Sequence, residues 1–293
     1  MENRSIPYSQ LVLNPDGSVY HLKLLPAQLA DTVILVGDPN RVGKVSSFFD
    51  LIEHKVSNRE IVTHTGFYRG KRLSVISTGM GTDNIDIVIN ELDALVNVDL
   101  KTRQIKPVHR SLNLIRLGTS GALQPDIPVG ESFVAGKYAL GIDGLLHFYA
   151  RSGEVMRQDM TEAFVRHMQW DSKLPAPYVV EASPRLLELL AYDCRQGLTV
   201  TAPGFYGPQG RVLRLPVADA EMNHKMESFS FEGIRITNFE MESSALYGMS
   251  RMLGHEALTI CLIIANRVTE KFSGNYQPFM EKLIRQTLDR LCV

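Results

Sequence analysis

Short, wholly apolar, β-branched runs recur along the chain with stretches of helical periodicity between them, and few architectures accept that alternation. Thr32–Val36, Leu73–Ser77, Leu112–Leu117, Ser132–Ala135, Leu198–Thr201, Ile234–Asn238 and Ala257–Ala265 read as strands. Continuous apolar runs suit strands buried on both faces of a sheet. Between them, Ile85, Val88, Ile89, Leu92, Leu95 and Val96 share one face of a helix that Thr82 or Asp83 would cap. Ser183-Pro184 opens a second helix, Met241–Leu253 forms a third ending at Gly254, and Tyr276–Leu291 forms the last. The expected architecture is a single α/β domain over residues 1–293: a three-layer sandwich around one mostly parallel or mixed sheet. In such folds ligands bind beyond the carboxyl ends of the strands. Gly37-Asp38, Thr78–Gly81, Gly118–Gly121 and Asn266-Arg267 each follow a strand there.

Composition narrows the function. A net charge of −1 gives no basic excess for a nucleic acid or an anionic membrane, so an anionic ligand must be held by a few placed cations. Cys194, Cys261 and Cys292 form neither a CxxC pair nor a metal cluster and read as reduced thiols. The opening MENRSIPYSQ has no apolar signal region, and runs such as Leu258–Ala265 are too short to cross a bilayer, so a cytoplasmic protein is expected.

Several motifs fail on inspection. GDPNRVGK (37–44) has one residue too many between its glycines for a P-loop, and Val45 replaces the Ser/Thr. TGMGTDN (78–84) has Asn84 where a dinucleotide fingerprint needs its third glycine. HExxH and GxSxG are absent. Both glycine segments still offer backbone N–H groups to an oxyanion. Arg116 is the informative cation, because its apolar strand LNLIRLGTSG gives little reason to hold an unpaired charge. A guanidinium fork beside hydroxyls and glycine N–H groups matches the acceptors of phosphate. Glu240 and Glu242 flank Met241 at a strand-to-helix transition. They serve either as acids at a helix N-terminus or as acceptors for sugar hydroxyls.

Together GDPNR (37–41), IRLGTSGALQP (115–125), GFYGPQGR (204–211), NFEMES (238–243) and ANR (265–267) resemble the nucleoside phosphorylase-I family, in its uridine phosphorylase branch. The resemblance implies an α/β sandwich around a mixed, partly barrelled sheet. It also implies phosphorolysis of uridine, with deoxyuridine and thymidine as further candidates, to uracil and the sugar 1-phosphate. Carried over by position, it implies phosphate at Gly37, Arg41, Arg116 and Thr119, with Arg59 reaching in from a neighbouring subunit. Ribose would sit against Met241 and Glu242 with the neighbour's His21, supplied by an N-terminal arm over residues 1–30. Phe205, Gln209 and Arg211 would hold the base, and Ser120, Gly121, Glu240, Ile264 and Arg267 would complete the pocket. Arg116, Arg211 and Glu242 would carry the chemistry.

That chemistry suits the residue types. Phosphate is itself the nucleophile, so the protein's work is positioning and electrostatic stabilisation. Arg211 donates to a carbonyl that gains charge as the base departs, and Gln209 pairs with an amide-like edge. Purine-cleaving relatives carry an aspartate after the late strand, whereas Ile264-Ala265-Asn266-Arg267 offers none. No cofactor or metal is implied, since phosphate is a co-substrate. Gly81-Thr82-Asp83-Asn84 departs from the family's Gly-Gly-Pro-Ser run, which counts against the potassium site some relatives build there with the glutamate matching Glu60. Residues 100–111 read as an inserted, solvated basic loop. The expected partners are uridine, phosphate and further copies of the chain, a homodimer at least and a hexamer as a trimer of dimers. A nucleosidase of the same fold and a non-catalytic nucleoside-binding protein are the alternatives.

Overall fold

The computed structural model describes residues 5–292, so Met1–Arg4 of the expected arm lie outside the described residues. The chain opens its sheet with β1 (Thr32–Val36), buried at every position. Asp38 then caps α1 (Pro39–Ser46): its carboxylate accepts from the Asn40 N–H at 2.9 Å, and Pro39 fits the first turn. GDPNR is therefore a strand–cap–helix joint that carries Arg41 into the helix.

A hairpin of β2 (Leu51–Asn58) and β3 (Ile61–Tyr68) follows, then β4 (Lys71–Ser77). The reading of the sequence missed β2 and β3. β2 alternates exposed and half-buried residues at the sheet edge and so lacks an apolar run. α2 (Thr82–Asn97) buries the expected face, but its N-cap is Gly81 at φ 97° rather than Thr82 or Asp83. A small hairpin, β5 (Val98–Asp99) with β6 (Gln104–Ile105), occupies the expected insertion.

β7 (Asn113–Ala122) runs past the anticipated end at Leu117. Gly118–Gly121 is thus strand rather than loop, because β13 pairs with it on one side and β12 at its end. β8 (Phe133–Gly141), α3 (Gln158–Met168), β9 (Tyr178–Glu181), α4 (Pro184–Ala191) and β10 (Arg195–Thr201) come next. α5 (Met222–Ser228), β11 (Ser230–Phe231) and β12 (Ile234–Glu240) lead into α6 (Ser243–Leu253), which Gly254 ends at φ 77°. β13 (Glu256–Asn266), β14 (Lys271–Phe272) and α7 (Gln277–Leu291) finish the chain.

One 12-stranded sheet takes the order β11-β12-β10-β8-β13-β7-β1-β4-β3-β2, with β9 and β14 attached to β8 and β13. β12 also pairs antiparallel with β7, which closes β12, β10, β8, β13 and β7 into a mixed barrel. This is the mixed α/β, partly barrelled fold expected. The largest apolar core runs from Val19 to Leu291, and a second lies between α3, α5 and the barrel strands. The carboxyl ends of β1, β7, β12 and β13 meet at one cleft.

Candidate active site

A cleft of about 920 Å³ opens at those strand ends. Arg41 and Arg116 both line it, together with Gly37, Thr119, Ser120 and Gly121. Met241 and Glu242 border the same cleft, and so do Glu240, Ile264, Phe205, Gln209, Arg211 and Arg267. Segments far apart in sequence therefore converge. Only His21 and Arg59, of the expected site residues, lie outside it. They sit together on an adjoining surface: Asn58 Nδ2 donates to the His21 carbonyl at 2.8 Å, and His21 Nδ1 lies 2.6 Å from Glu91. The Arg59 guanidinium is 5.7 Å from the Tyr20 ring. Glu60, the next residue, is back at the rim of the cleft.

Arg116 is buried on β7. Its Nη2 donates to Glu242 and its Nη1 lies 3.5 Å from Glu240. Burial works against its charge, but the two carboxylates outweigh it and hold the proton more tightly than usual. The Glu242 carboxyl shifts upward, chiefly by burial and then through Glu240, against the pull of Arg116. Glu242 also accepts the Gly81 N–H at 2.9 Å and the Met241 N–H at 3.3 Å. Arg41, buried on α1, donates to the Leu117 carbonyl at 3.1 Å. Burial and then the nearby Arg116 push its pKa down, as befits a cation lacking an anion.

Glu240 has a structural task. Its oxygens accept from the Glu242 and Ser243 N–H groups and from Thr201 Oγ1 at 2.6 Å, satisfying the start of α6. It gives the cleft negative charge beside Arg116 more than a free acceptor. Arg41 and Arg116 against Glu240 and Glu242 sum to zero charge.

At the far end the Arg211 guanidinium stacks on Phe205, 3.8 Å from the ring centre, and Nη1 donates to Gln209 Oε1 at 2.6 Å. Burial and the neighbouring Arg267 push Arg211 down to about 10. Arg267 Nε is buried without a hydrogen-bond partner. Neither arginine has a carboxylate in ion-pair contact among the described residues, so this end favours a hydrogen-bond acceptor, an anion or a carbonyl oxygen.

Two functional glycines escaped the sequence reading. A Cβ on Gly118 would stand 2.3 Å from Arg116 Nη1, so the guanidinium lies in the space a side chain would fill. Arg-x-Gly on one face of a strand was the available signal. Gly81 supplies the N–H to Glu242 from a positive φ.

Asp93, His109 and His255 form the grouping of possible metal donors among the described residues, and none lines the cleft. His255 Nδ1 accepts the Leu112 N–H at 3.2 Å, which puts the ring proton on Nε2, facing Asp93 at 3.2 Å. A protonated Nε2 is no metal ligand there. No helix among the described residues is long and apolar enough to cross a membrane.

Residues 31–289 match the sequence profile of the Phosphorylase superfamily. A uridine phosphorylase from Thermococcus kodakarensis is 32% identical, covering 88% of this chain and 80% of that one. A DeoD-type purine nucleoside phosphorylase from Clostridium perfringens is 29% identical over 92% of this chain and 97% of its own. A Trypanosoma brucei nucleoside phosphorylase, described as showing uridine phosphorylase activity, superposes with a TM-score of 0.85 at 30% identity. That match covers 96% of this chain and 99% of the other. Profile, relatives and solved structure agree: the chain belongs to the nucleoside phosphorylases of the phosphorylase superfamily and is a pentosyltransferase.

Proposed function

We propose that the chain is a uridine phosphorylase, converting uridine and phosphate to uracil and ribose 1-phosphate. The observation that carries the reading is one cleft with paired guanidiniums, Arg41 and Arg116, at one end. Arg211 and Gln209 stand at the other end, and Met241 and Glu242 lie along the same cleft. Phosphate sits between Arg41 and Arg116 beside Gly37 and Thr119, compensating a cation whose pKa burial and then repulsion from Arg116 lower. Glu242 exchanges part of its contact with Arg116 for ribose hydroxyls. The anion below the sugar then offsets the oxocarbenium charge that develops as the glycosidic bond breaks. Arg211 meets the charge that moves onto the departing base.

Asn266 supports a pyrimidine over a purine. Its Nδ2 donates to the carbonyls of Gln124 and Ile127 at 2.9 Å each, and its Oδ1 accepts the N–H groups of Val268 and Thr269. Ile264–Arg267 thus carries no acid at the place where purine-cleaving relatives have their aspartate; Glu270, further along, also lines the cleft. Because the cleft's own charges cancel, bound phosphate brings uncompensated negative charge. Arg59 of a neighbouring copy meets it, alongside that copy's His21, which makes a homodimer the smallest complete unit and a trimer of dimers its natural assembly. No metal or organic cofactor has a part in this chemistry.

The test is uracil release from uridine with and without phosphate, beside inosine. Phosphate-dependent release from uridine with little from inosine is expected. Equal release without phosphate would make the protein a nucleosidase, and no release at all would make it a binding protein.

A further inference from the structure

The loop from β4 into α2 is where the chain departs from the family's run, and Asn84 has found a partner there. As the third residue of α2 it turns back along the chain, and its Nδ2 donates to the Met80 carbonyl at 3.3 Å. A Cβ on Gly79 would stand 2.4 Å from that nitrogen, so the carboxamide lies in the space the glycine leaves. The next N–H, that of Gly81, donates to Glu242 Oε1 at 2.9 Å. The Met80 carbonyl and the Gly81 N–H belong to one planar trans peptide group, so they point opposite ways and fixing one aims the other. Little else resists rotation of this group, since Gly81, at φ 97°, has no Cβ to obstruct it. Turned over, the peptide would set a carbonyl oxygen against a carboxylate. Arg116 and the Met241 N–H both bond Glu242 Oε2, and Gly81 is the donor to Oε1 among the described residues. Gly79, Met80 and Glu242 line the cleft, whereas Asn84 stands behind the loop.

We propose that Asn84 is a positioning residue: by holding the Met80 carbonyl it keeps the Gly81 N–H on Glu242, and so fixes the carboxylate that receives the ribose hydroxyls. The inference rests on the uridine phosphorylase reading above. The Gly81 bond favours the ionised carboxylate, as does Arg116 of β7, while burial and Glu240 of β12 oppose it; the Cys261 thiol of β13 is also near. Losing the N–H therefore raises the pH at which Glu242 takes up a proton. In Glu242→Gln the contact changes sign. With its oxygen on Arg116, the new amide turns an N–H toward Gly81, donor against donor, and a peptide free to rotate would offer it a carbonyl instead.

The experiment follows kcat/KM for uridine against pH with saturating phosphate, beside thermal melts, in the unmodified protein, Asn84→Ala, Glu242→Gln and the double variant. Asn84→Ala should melt with the unmodified protein, because alanine suits a helix. Its plateau should fall about tenfold or more, the effect of losing one hydrogen bond to a charged group, and its acid limb should move to higher pH. In the Glu242→Gln background the same substitution should cost nothing further. A plateau or an acid limb that stays put in Asn84→Ala, or an equal loss repeated in the Glu242→Gln background, would overturn the proposal and leave Asn84 a structural residue of the loop. Should Asn84→Ala not fold, Asn84→Asp keeps the shape without the N–H, and an acid suits the first turn of a helix. A plateau in that variant equal to the unmodified protein's is then fatal. If the unmodified protein releases no uracil with phosphate, the parent reading fails and this inference goes with it.

Discussion

Arg116 shows how one residue couples stability to chemistry. Its guanidinium compensates two buried carboxylates, so Arg116→Ala leaves them uncompensated at a cost of about 3–5 kcal/mol. Arg116→Lys is the cleaner probe, since it keeps the charge and loses the fork. It should fold normally, while KM for phosphate rises at least about tenfold, read from initial rates against phosphate. Gly118→Ala attacks the same group without touching any charge. The new Cβ displaces Nη1, and we expect a stability loss of about 1–3 kcal/mol in denaturant melts with a larger proportional loss of phosphate-dependent rate. On the proposed reading, Glu242 sets the pH response. Burial and Glu240 raise its carboxyl above the ordinary 4.5, so the proton arrives at higher pH than for a solvated glutamate. The acid limb of kcat/KM for uridine should therefore lie above that value, and Glu242→Gln should flatten it while lowering the plateau. A limb that persists in Glu242→Gln would move the titration to another group.

The elements divide into those the apolar pattern exposes and those it hides. β1, β4 and β13 announce themselves because both their faces are buried. Ser183 declares its helix by a side-chain cap; Asp38 caps α1 in the same way, but the sequence reading passes over that helix because GDPNR reads as a strand-end loop. β2 stays hidden because an edge strand has no need of an apolar run. β7 was read short because glycines within a strand look like loop when the guanidinium that needs their space cannot be seen. The cleft residues were legible mainly through the family resemblance; Gly81 acts through a contact with a residue far along the chain, which no local pattern encodes. The basic segment 100–111 misled in the other direction, for it is not wholly solvated. Arg103 is buried, with Nε donating to the Ile6 carbonyl at 2.8 Å and Nη2 to those of Pro7 and Leu11. Its guanidinium also lies over the Tyr8 ring at 4.4 Å. This hairpin clamps the N-terminal arm, and Arg103→Ala should free it. Hydrogen exchange at residues 5–11 should accelerate about tenfold or more while the sheet amides stay protected.

At the scale of the whole molecule, the question is why His21 and Arg59 stand beside the cleft and not in it. Their surroundings are orderly: Asn58 fixes the His21 backbone, Glu91 holds its ring, and Arg59 sits in a tight turn at φ 54° next to the rim residue Glu60. A surface built with that care, carrying a cation that the cleft's balanced charges lack, fits the reading that it completes another copy's site. Mixing impaired variants, assayed at phosphate well below KM, puts this to the test. A copy carrying Arg59→Ala keeps its own Arg116, and a copy carrying Arg116→Lys keeps its own Arg59. In a mixed dimer, one of the two sites then has a sound Arg116 from its own chain and a sound Arg59 from its partner. Random pairing makes about half of the dimers mixed, so co-expression should restore about a quarter of unmodified activity. Each variant purified alone should stay near its own low rate. If the mixture shows only the average of the two, Arg59 serves no neighbour, and phosphate is held by Arg41 and Arg116 within a single chain.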